Sequence, residues 1–157
     1  MRRLLTAVIL AVAVMTVGIS APASAVRVGN EGCTPGYWKN HTDNWEEAAP
    51  GQLLSSIYSE AANTSLSGNT LLEALQGNGG SGVEGAERIL ARAAVAAWLN
   101  SAHEGLGFPW RRNATGLNGE PALVSAVNAA FASQNRATML DLARTLDQDN
   151  NLGCPLN

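Results

Sequence analysis

The sequence predicts an all-α fold, a compact bundle of about five helices closed by one disulfide bond between Cys33 and Cys154. Three observations support this prediction. Apolar residues recur at spacings of three and four along several segments, which is the period of an amphipathic helix. Gly, Pro and Asn separate these segments, and no useful length of chain alternates apolar and polar residues as a strand does. The chain has only two cysteines, and they lie near the two ends of the predicted domain.

A signal peptide is predicted over residues 1–25. It has a basic start (Met1-Arg2-Arg3), an apolar run over residues 4–17, and small residues at a cleavage position (Ala23-Ser24-Ala25). This is the layout of a secretory leader, and the apolar run is shorter than the ~20 residues that span a bilayer. We therefore expect residues 26–157 to form a single secreted, extracellular domain. An uncleaved membrane anchor is the alternative.

The charge of the chain argues against two classes of partner. The formal net charge is −3, and it becomes −5 when Arg2 and Arg3 leave with the leader. Basic residues are few and scattered, and Lys39 is the only lysine. Binding to nucleic acid or to an anionic membrane needs clustered Lys and Arg. We predict neither as a partner of the exported domain.

Cys33 and Cys154 are predicted to pair. Two cysteines exported to an oxidising compartment most often form a disulfide bond. Such a bond would close nearly the whole exported domain into one loop, which the chain-entropy model values at about 4–5 kcal/mol. Two buried free thiols are the alternative. No catalytic thiol is expected, because neither cysteine has a C-x-x-C partner.

The first half of the domain predicts short helices separated by turns. Thr34-Pro35-Gly36-Tyr37 places Pro and Gly at the central positions of a type II turn. Asp43 and Glu46 have the spacing of a capping box for a short helix that carries Trp45. The glycine-rich stretch 77–82 interrupts regular structure. Before it, apolar residues at helical spacing mark two further short helices: Leu53, Leu54, Ile57 and Tyr58, then Leu71, Leu72 and Leu75.

The second half predicts three helices with apolar stripes. The longest begins after Ser81, which is expected to cap it in a capping box with Glu84. Its alanines predict a closely packed neighbouring helix, and Arg88 and Arg92 face away from the stripe. Pro121 fits the first position of the next helix, after a loop over residues 105–118. The three stripes are Ala86, Leu90, Ala93, Ala94, Ala97 and Trp98; Leu123, Val127, Ala130 and Phe131; and Met139, Leu142, Ala143 and Leu146.

Three segments of the chain resemble a family of exported bacterial proteins that carry the motif C-T-P-G-[YF]-W-K-N-H near the mature N-terminus. The segments are Cys33-Thr-Pro-Gly-Tyr-Trp-Lys-Asn-His41, Arg92-Ala-Ala-Val-Ala-Ala-Trp-Leu-Asn-Ser-Ala-His103 and Asn150-Asn-Leu-Gly-Cys-Pro-Leu156. The similarity extends over most of the mature chain. It implies a secreted domain, sometimes part of a larger surface protein. It brings no established enzymatic activity and no catalytic residues to this chain.

The aromatic segment that follows Cys33 holds the largest number of neighbouring side chains suited to binding a ligand or partner. Flat aromatic faces cover the apolar surface of sugar rings, and the neighbouring polar groups bond hydroxyls. The segment therefore predicts a contact surface for an extracellular protein or a glycan. The alternative is that the rings cover one end of the core while the polar residues bond nearby backbone. The candidate binding residues are Tyr37, Trp38, Lys39, Asn40, His41 and Trp45.

No metal ion or other cofactor is predicted. His41 and His103 lie near acidic residues, but no H-E-x-x-H or Cys/His spacing places them on one helical face. The tail from Asp147 to Gly153 resembles a calcium loop, yet its glycine falls one place too late. The end of a helix is the alternative for that segment. The glycine-rich stretch 77–82 lacks the Gly-Lys-Ser/Thr ending of a phosphate-binding loop, so it is interpreted as a linker.

Three function classes follow from these patterns. The first is a secreted, non-catalytic interaction or structural domain. The second is a glycan- or cell-wall-binding module that uses the aromatic segment. The third is an extracellular hydrolase, for which carboxylates are present but no nucleophile or metal motif. We expect the first class and no enzymatic activity.

Overall fold

The computed structural model describes residues 29–110 and 122–156. The described ranges hold no β-strand, and two isolated bridges pair Gly32 with Gly153 and Leu53 with Thr70. A disulfide bond joins Cys33 to Cys154. The prediction of an all-α bundle closed by this disulfide is confirmed. The five described helices are α1 (Pro35–Asn40), α2 (Leu71–Gln76), α3 (Gly82–Ala102), α4 (Ala122–Ala132) and α5 (Arg136–Asn150).

The predicted signal peptide, residues 1–25, lies outside the described residues. So does Pro121, the predicted first position of α4. No helix in the described ranges has the length and apolar character needed to cross a membrane.

Helix α3 lies at the centre of the bundle, where it contacts α1, α2, α4 and α5. Helix α5 runs beside it in the same direction. Near the start of both helices, Arg136 Nη1 donates to the carbonyl oxygen of Gly80 at 3.2 Å, and further along, Asn150 Nδ2 donates to that of Ala93 at 3.0 Å. Small side chains allow this close approach. The closely packed neighbour that the alanines of α3 predicted is therefore confirmed.

The start of α1 differs from the predicted type II turn. That turn requires a positive φ at Gly36, and Gly36 is not among the residues with positive φ. Instead Thr34 caps a helix: its hydroxyl accepts a hydrogen bond from Tyr37 N at 3.0 Å. Pro35 then occupies the first turn, where its missing N–H leaves no helical bond unmade. The predicted turn is wrong because the same residues also suit a helix N-terminus.

The predicted capping boxes at Asp43 and Ser81 are also wrong. Residues Thr42–Asn44 form a single 3-10 turn, and Trp45 follows it in extended conformation. Ser81 does stand at the N-cap of α3, but its side chain makes no capping hydrogen bond. A capping box is found at α2, where Glu73 N donates to the Thr70 hydroxyl at 3.2 Å and Thr70 N donates to Glu73 Oε2 at 2.8 Å. The hydrogen bond from Thr70 N holds the pKa of Glu73 below its ordinary value.

The apolar residues from Leu53 to Tyr58 form only a 3-10 turn, Leu54–Ser56, where a helix was predicted. Leu53 is extended and forms the bridge to Thr70, and Leu54 N donates to the carbonyl oxygen of Asn69 at 2.8 Å, so the first residue of the predicted helix lies outside any helix. Helices α2, α3, α4 and α5 lie where helices were predicted, and the core positions predicted in α4, such as Val127 and Phe131, are fully buried. Residues 77–81 carry no helix, whereas Gly82, predicted as part of the interruption, begins α3. The predicted loop over residues 105–118 lies partly outside the described residues.

Tyr58 supplies a prediction for alkaline pH. Its hydroxyl is fully buried and donates to the carbonyl oxygen of Ala94 at 2.8 Å, and burial raises the pKa of the phenol well above its ordinary value. The unfolded chain ionises at lower pH than the folded one, so the stability linked to this group is present below pH ~10 and lost as pH rises further. In a Tyr37→Phe background, where Tyr58 is the only tyrosine, we expect phenolate absorbance to appear only on unfolding.

Tyr58→Phe provides the matched comparison for that titration. The substitution removes one buried hydrogen bond, which costs about 1 kcal/mol at neutral pH, but it also removes the group that ionises in the unfolded state. Urea unfolding at pH 8 and pH 11 should therefore show a smaller loss of stability for the variant than for the parent. Reversible ionisation of Tyr58 near pH 10 with the helical circular dichroism intact would contradict the assignment.

Candidate functional site

Helix α1 divides the candidate binding residues between the core and the surface. Tyr37 and Trp38 are buried, with 9% and 0% of their surface exposed. Residues 39–41 are exposed, and Trp45 is half-buried. Because successive helical residues point about 100° apart, a single turn sends neighbouring side chains in opposite directions. The exposed set, Lys39, Asn40 and His41, is referred to below as the α1 surface.

Trp38 takes part in a buried hydrogen-bond network centred on Asn100, which is 0% exposed. Asn100 Oδ1 accepts from Trp38 Nε1 at 3.0 Å and from Cys33 N at 2.8 Å. Its Nδ2 donates to Cys33 O and to Asn150 Oδ1, both at 2.9 Å. These four bonds use both donors and both lone pairs of the amide. Asn100 therefore fixes the backbone at Cys33 and the orientation of the Trp38 indole together.

The two ends of the described domain meet beside this network. The disulfide joins Cys33 to Cys154, and Gly32 N donates to the carbonyl oxygen of Gly153 at 2.9 Å. A Cβ on Gly32 would lie 2.1 Å from the carbonyl oxygen of Asp149, so a larger residue could not be accommodated without movement of the backbone. The Tyr37 hydroxyl donates to the carbonyl oxygen of Leu156 at 3.1 Å. The segment that leads into α1 is consequently attached to the tail by covalent and backbone contacts, and α1 itself by the side chain of Tyr37.

His41 is exposed yet held in one orientation. Its ring stacks on Tyr37, with the centroids 4.2 Å apart and the planes inclined by 14°. His41 Nδ1 lies 2.9 Å from the carbonyl oxygen of Tyr37. Since a carbonyl only accepts, the neutral ring carries its proton on Nδ1 and leaves Nε2 as an acceptor. Nε2 has no hydrogen-bond partner within the described ranges.

The remaining exposed residues of the α1 surface differ in how tightly they are held. Asn40 Nδ2 donates to the carbonyl oxygen of Gly36 at 3.0 Å, which fixes its amide group against the helix. Lys39 is exposed in the last turn of α1 and forms no ion pair with any residue the structure describes. Its ammonium group is therefore available to an external anion.

Trp45 covers Trp38 from outside the helix. Its Nε1 donates to the carbonyl oxygen of Trp38 at 3.0 Å, and the half-buried indole packs against the core. Trp45 is the one indole of the aromatic segment that keeps exposed surface, because Trp38 keeps none. The sequence from Tyr37 to Trp45 suggested several aromatic faces for sugar contact, but the exposed aromatic area is smaller because Tyr37 and Trp38 are buried.

The two histidines are not brought together as metal ligands. His103 Nε2 lies 3.5 Å from Glu46 Oε1, and its Nδ1 accepts a hydrogen bond from Gly105 N at 3.1 Å. His41 is instead stacked on Tyr37. Across residues 29–110 and 122–156, no three His, Cys, Asp or Glu side chains are grouped so that they could hold a metal ion.

The acidic tail is helical where a calcium loop would need an open turn. Helix α5 continues to Asn150, so Asp147 and Asp149 both lie within it. The Asp149 carboxylate accepts a hydrogen bond from Trp110 Nε1 at 2.8 Å. Asn151 caps the helix, in agreement with the helix-end interpretation, and Gly153 follows with φ 119°.

The buried asparagines were not identified from the sequence. Asn100 stands in an otherwise apolar stretch of α3, Ala97-Trp98-Leu99-Asn100, and such a residue needs a partner for each polar atom when it is buried. That interruption of the apolar stripe was the available signal. Its partner Asn150 lies 50 residues away, on α5, and no spacing rule connects them.

Comparisons of the chain with protein-family models, with curated proteins and with solved structures find no match. The similarity of the three motif segments to exported bacterial proteins stays a prediction.

Proposed function

We propose that the chain is a secreted, non-catalytic interaction domain that contacts its partner through the α1 surface. The observation that supports this most is the division within one helical turn: Tyr37 and Trp38 point into the core, while Lys39, Asn40 and His41 point out. The exposed residues follow Cys33, whose N–H and C=O are both bonded to Asn100. A surface held in its binding conformation loses less entropy on association.

The chemistry of the α1 surface favours a partner that carries a carboxylate and a hydrogen-bond donor. Lys39 offers a positive charge that is not paired with any residue in the described ranges, and His41 Nε2 offers an acceptor. An acidic patch on an extracellular protein has both kinds of group. The disulfide between Cys33 and Cys154 is consistent with a domain that works in an oxidising compartment.

A protein partner is favoured over a glycan because of where the aromatic rings lie. Sugar-binding modules present an open aromatic face, whereas Trp38 is fully buried and Tyr37 nearly so. The face left for stacking belongs to Trp45, whose indole N–H is already bonded to the carbonyl oxygen of Trp38. Glycan binding remains the second candidate, with Trp45 as its contact residue.

Lys39 makes the proposal testable because it is the only lysine in the chain. An imidoester photocrosslinker, which converts the ammonium into an amidine and so keeps the positive charge, can be attached to its side chain after the α-amino group, which has the lower pKa, has been blocked near neutral pH. We expect the labelled protein to form a discrete adduct with a surface or secreted protein of the expressing bacterium. Unlabelled wild type should compete, and a Lys39→Ala/His41→Ala variant should compete at least tenfold less well.

A lysine moved to another exposed position supplies the control. In Lys39→Arg/Gln148→Lys the crosslinker sits on α5, where Gln148 is exposed. Equal adduct formation from a crosslinker at residue 39 and from one at residue 148 would contradict the proposal. So would equal competition by unlabelled wild type and unlabelled Lys39→Ala/His41→Ala. Saturable quenching of tryptophan fluorescence by a polysaccharide, lost in Trp45→Phe, would replace it with the glycan-binding function.

A further inference from the structure

A second candidate site lies on α3 and α5, apart from the residues of the α1 surface. A groove with a volume of about 390 Å³ opens between the two helices, the glycine-rich stretch that precedes α3, and Pro35 at the start of α1. Ala93 and Ala143 line its base and are almost fully buried. Ile89 and Leu140 are half-buried on its walls. The groove therefore offers apolar surface that the fold leaves partly uncovered.

Glycine keeps this groove open. Gly77 and Gly79 line it without side chains. A Cβ on Gly79 would lie 3.0 Å from Ile89 Cδ1, so a side chain there would crowd the wall. The stretch interpreted from the sequence as a linker thus also shapes a concave surface.

The charged residues at the groove are two arginines and one aspartate. Arg144 is paired with Asp141, Nη1 to Oδ1, at 2.8 Å, and Asp147 supplies the carboxylate among the lining residues. Arg92 is exposed and has no hydrogen bond or ion pair with any described residue. Its neighbour Arg88, one turn earlier, is paired with Glu84 at 3.4 Å. Arg92 is therefore the cation here that is ready to accept an external anion.

We propose that this groove binds a small carboxylate that carries a short hydrocarbon chain. The guanidinium of Arg92 holds the carboxylate, for which its planar donors are well suited. The hydrocarbon chain lies against Ile89 and Leu140, the half-buried apolar residues of the lining. The volume falls in the range of small-molecule clefts, about 300–1,000 Å³. The proposal shares no residue with the α1 surface, so either can fail without the other.

Octanoate, used below the concentration at which it forms micelles, is the probe for this site. Titration into ¹⁵N-labelled protein should move the amide signals of Ala93, Leu140 and Ala143 in a saturable way. Arg92→Gln should weaken the apparent affinity about tenfold, because it removes a charge-assisted hydrogen bond. Arg88→Gln, which removes a cation one turn earlier on the same helix but outside the lining of the groove, should leave the titration unchanged.

Two further experiments test the charge contact and the hydrocarbon contact of the proposal separately. Octanol presents the same chain without a charge, and binding as tight as that of octanoate would overturn the role of Arg92. Leu140→Gln places a polar group on the half-buried wall and should weaken octanoate binding, with helical circular dichroism confirming that the variant is folded. Unchanged binding by Leu140→Gln, or shifts outside the groove only, would overturn the assignment.

Discussion

Replacing Asn100 with alanine is expected to destabilise the domain by about 3–5 kcal/mol. The substitution removes four hydrogen bonds at once and leaves buried polar atoms on Trp38, Cys33 and Asn150 without their partners. Each orphaned group costs about 1–3 kcal/mol, although the costs of neighbouring groups do not simply add. Urea unfolding followed by circular dichroism measures the loss directly.

Asn128→Ala is the matched control for this change. Asn128 is also buried, at 8% exposed, but its side-chain oxygen accepts one hydrogen bond, from Glu60 N at 3.1 Å. The same chemical change there should cost about 1 kcal/mol. An Asn100→Ala variant no less stable than Asn128→Ala would show that the network does not hold the ends of the domain together.

Removing the disulfide bond is expected to cost about 4–5 kcal/mol in the double variant Cys33→Ala/Cys154→Ala. The cysteines are separated by 121 residues along the chain, so the bond restricts most of the unfolded domain. In the chain-entropy model this restriction is the main source of the stabilisation. We expect the urea midpoint of the variant to fall well below that of the oxidised parent.

The helical circular dichroism of the double variant distinguishes a loss of stability from a loss of fold. Asn100 still bonds the backbone of residue 33 in that variant, because both contacts use main-chain atoms. The native helix content should therefore persist in the absence of urea. A free energy of unfolding within about 1 kcal/mol of the parent's would contradict the role given to the disulfide.

The fold was predictable where the pattern along the chain is long. The stripe on α3 extends from Ala86 to Trp98 in a helix of 21 residues, and its alanines indicated the close approach of another helix. Short segments were less predictable, since Thr34-Pro35 suits both a turn and a helix start. The short segment at Leu53 depends on its bridge to Thr70, which is distant in sequence.

The residues of the candidate site were predictable from the sequence, but the directions in which their side chains point were not. The sequence identified the segment from Tyr37 to His41 as the part of the chain with the most aromatic and polar side chains suited to binding. Which side chains face outward depends on whether Pro35 starts a helix, and that prediction was wrong. The stacking of His41 on Tyr37 follows from the helix, because residues four apart lie on one face.

Peptide mapping without reductant tests the central claim most directly, namely that the end of the domain at Cys33 is fixed to its tail beside the α1 surface. Protein recovered from the medium of an expressing bacterium is alkylated, digested and analysed by mass spectrometry. The structure predicts a cross-linked pair of peptides containing Cys33 and Cys154, with neither cysteine alkylated. Recovery of both cysteines in alkylated form would contradict it.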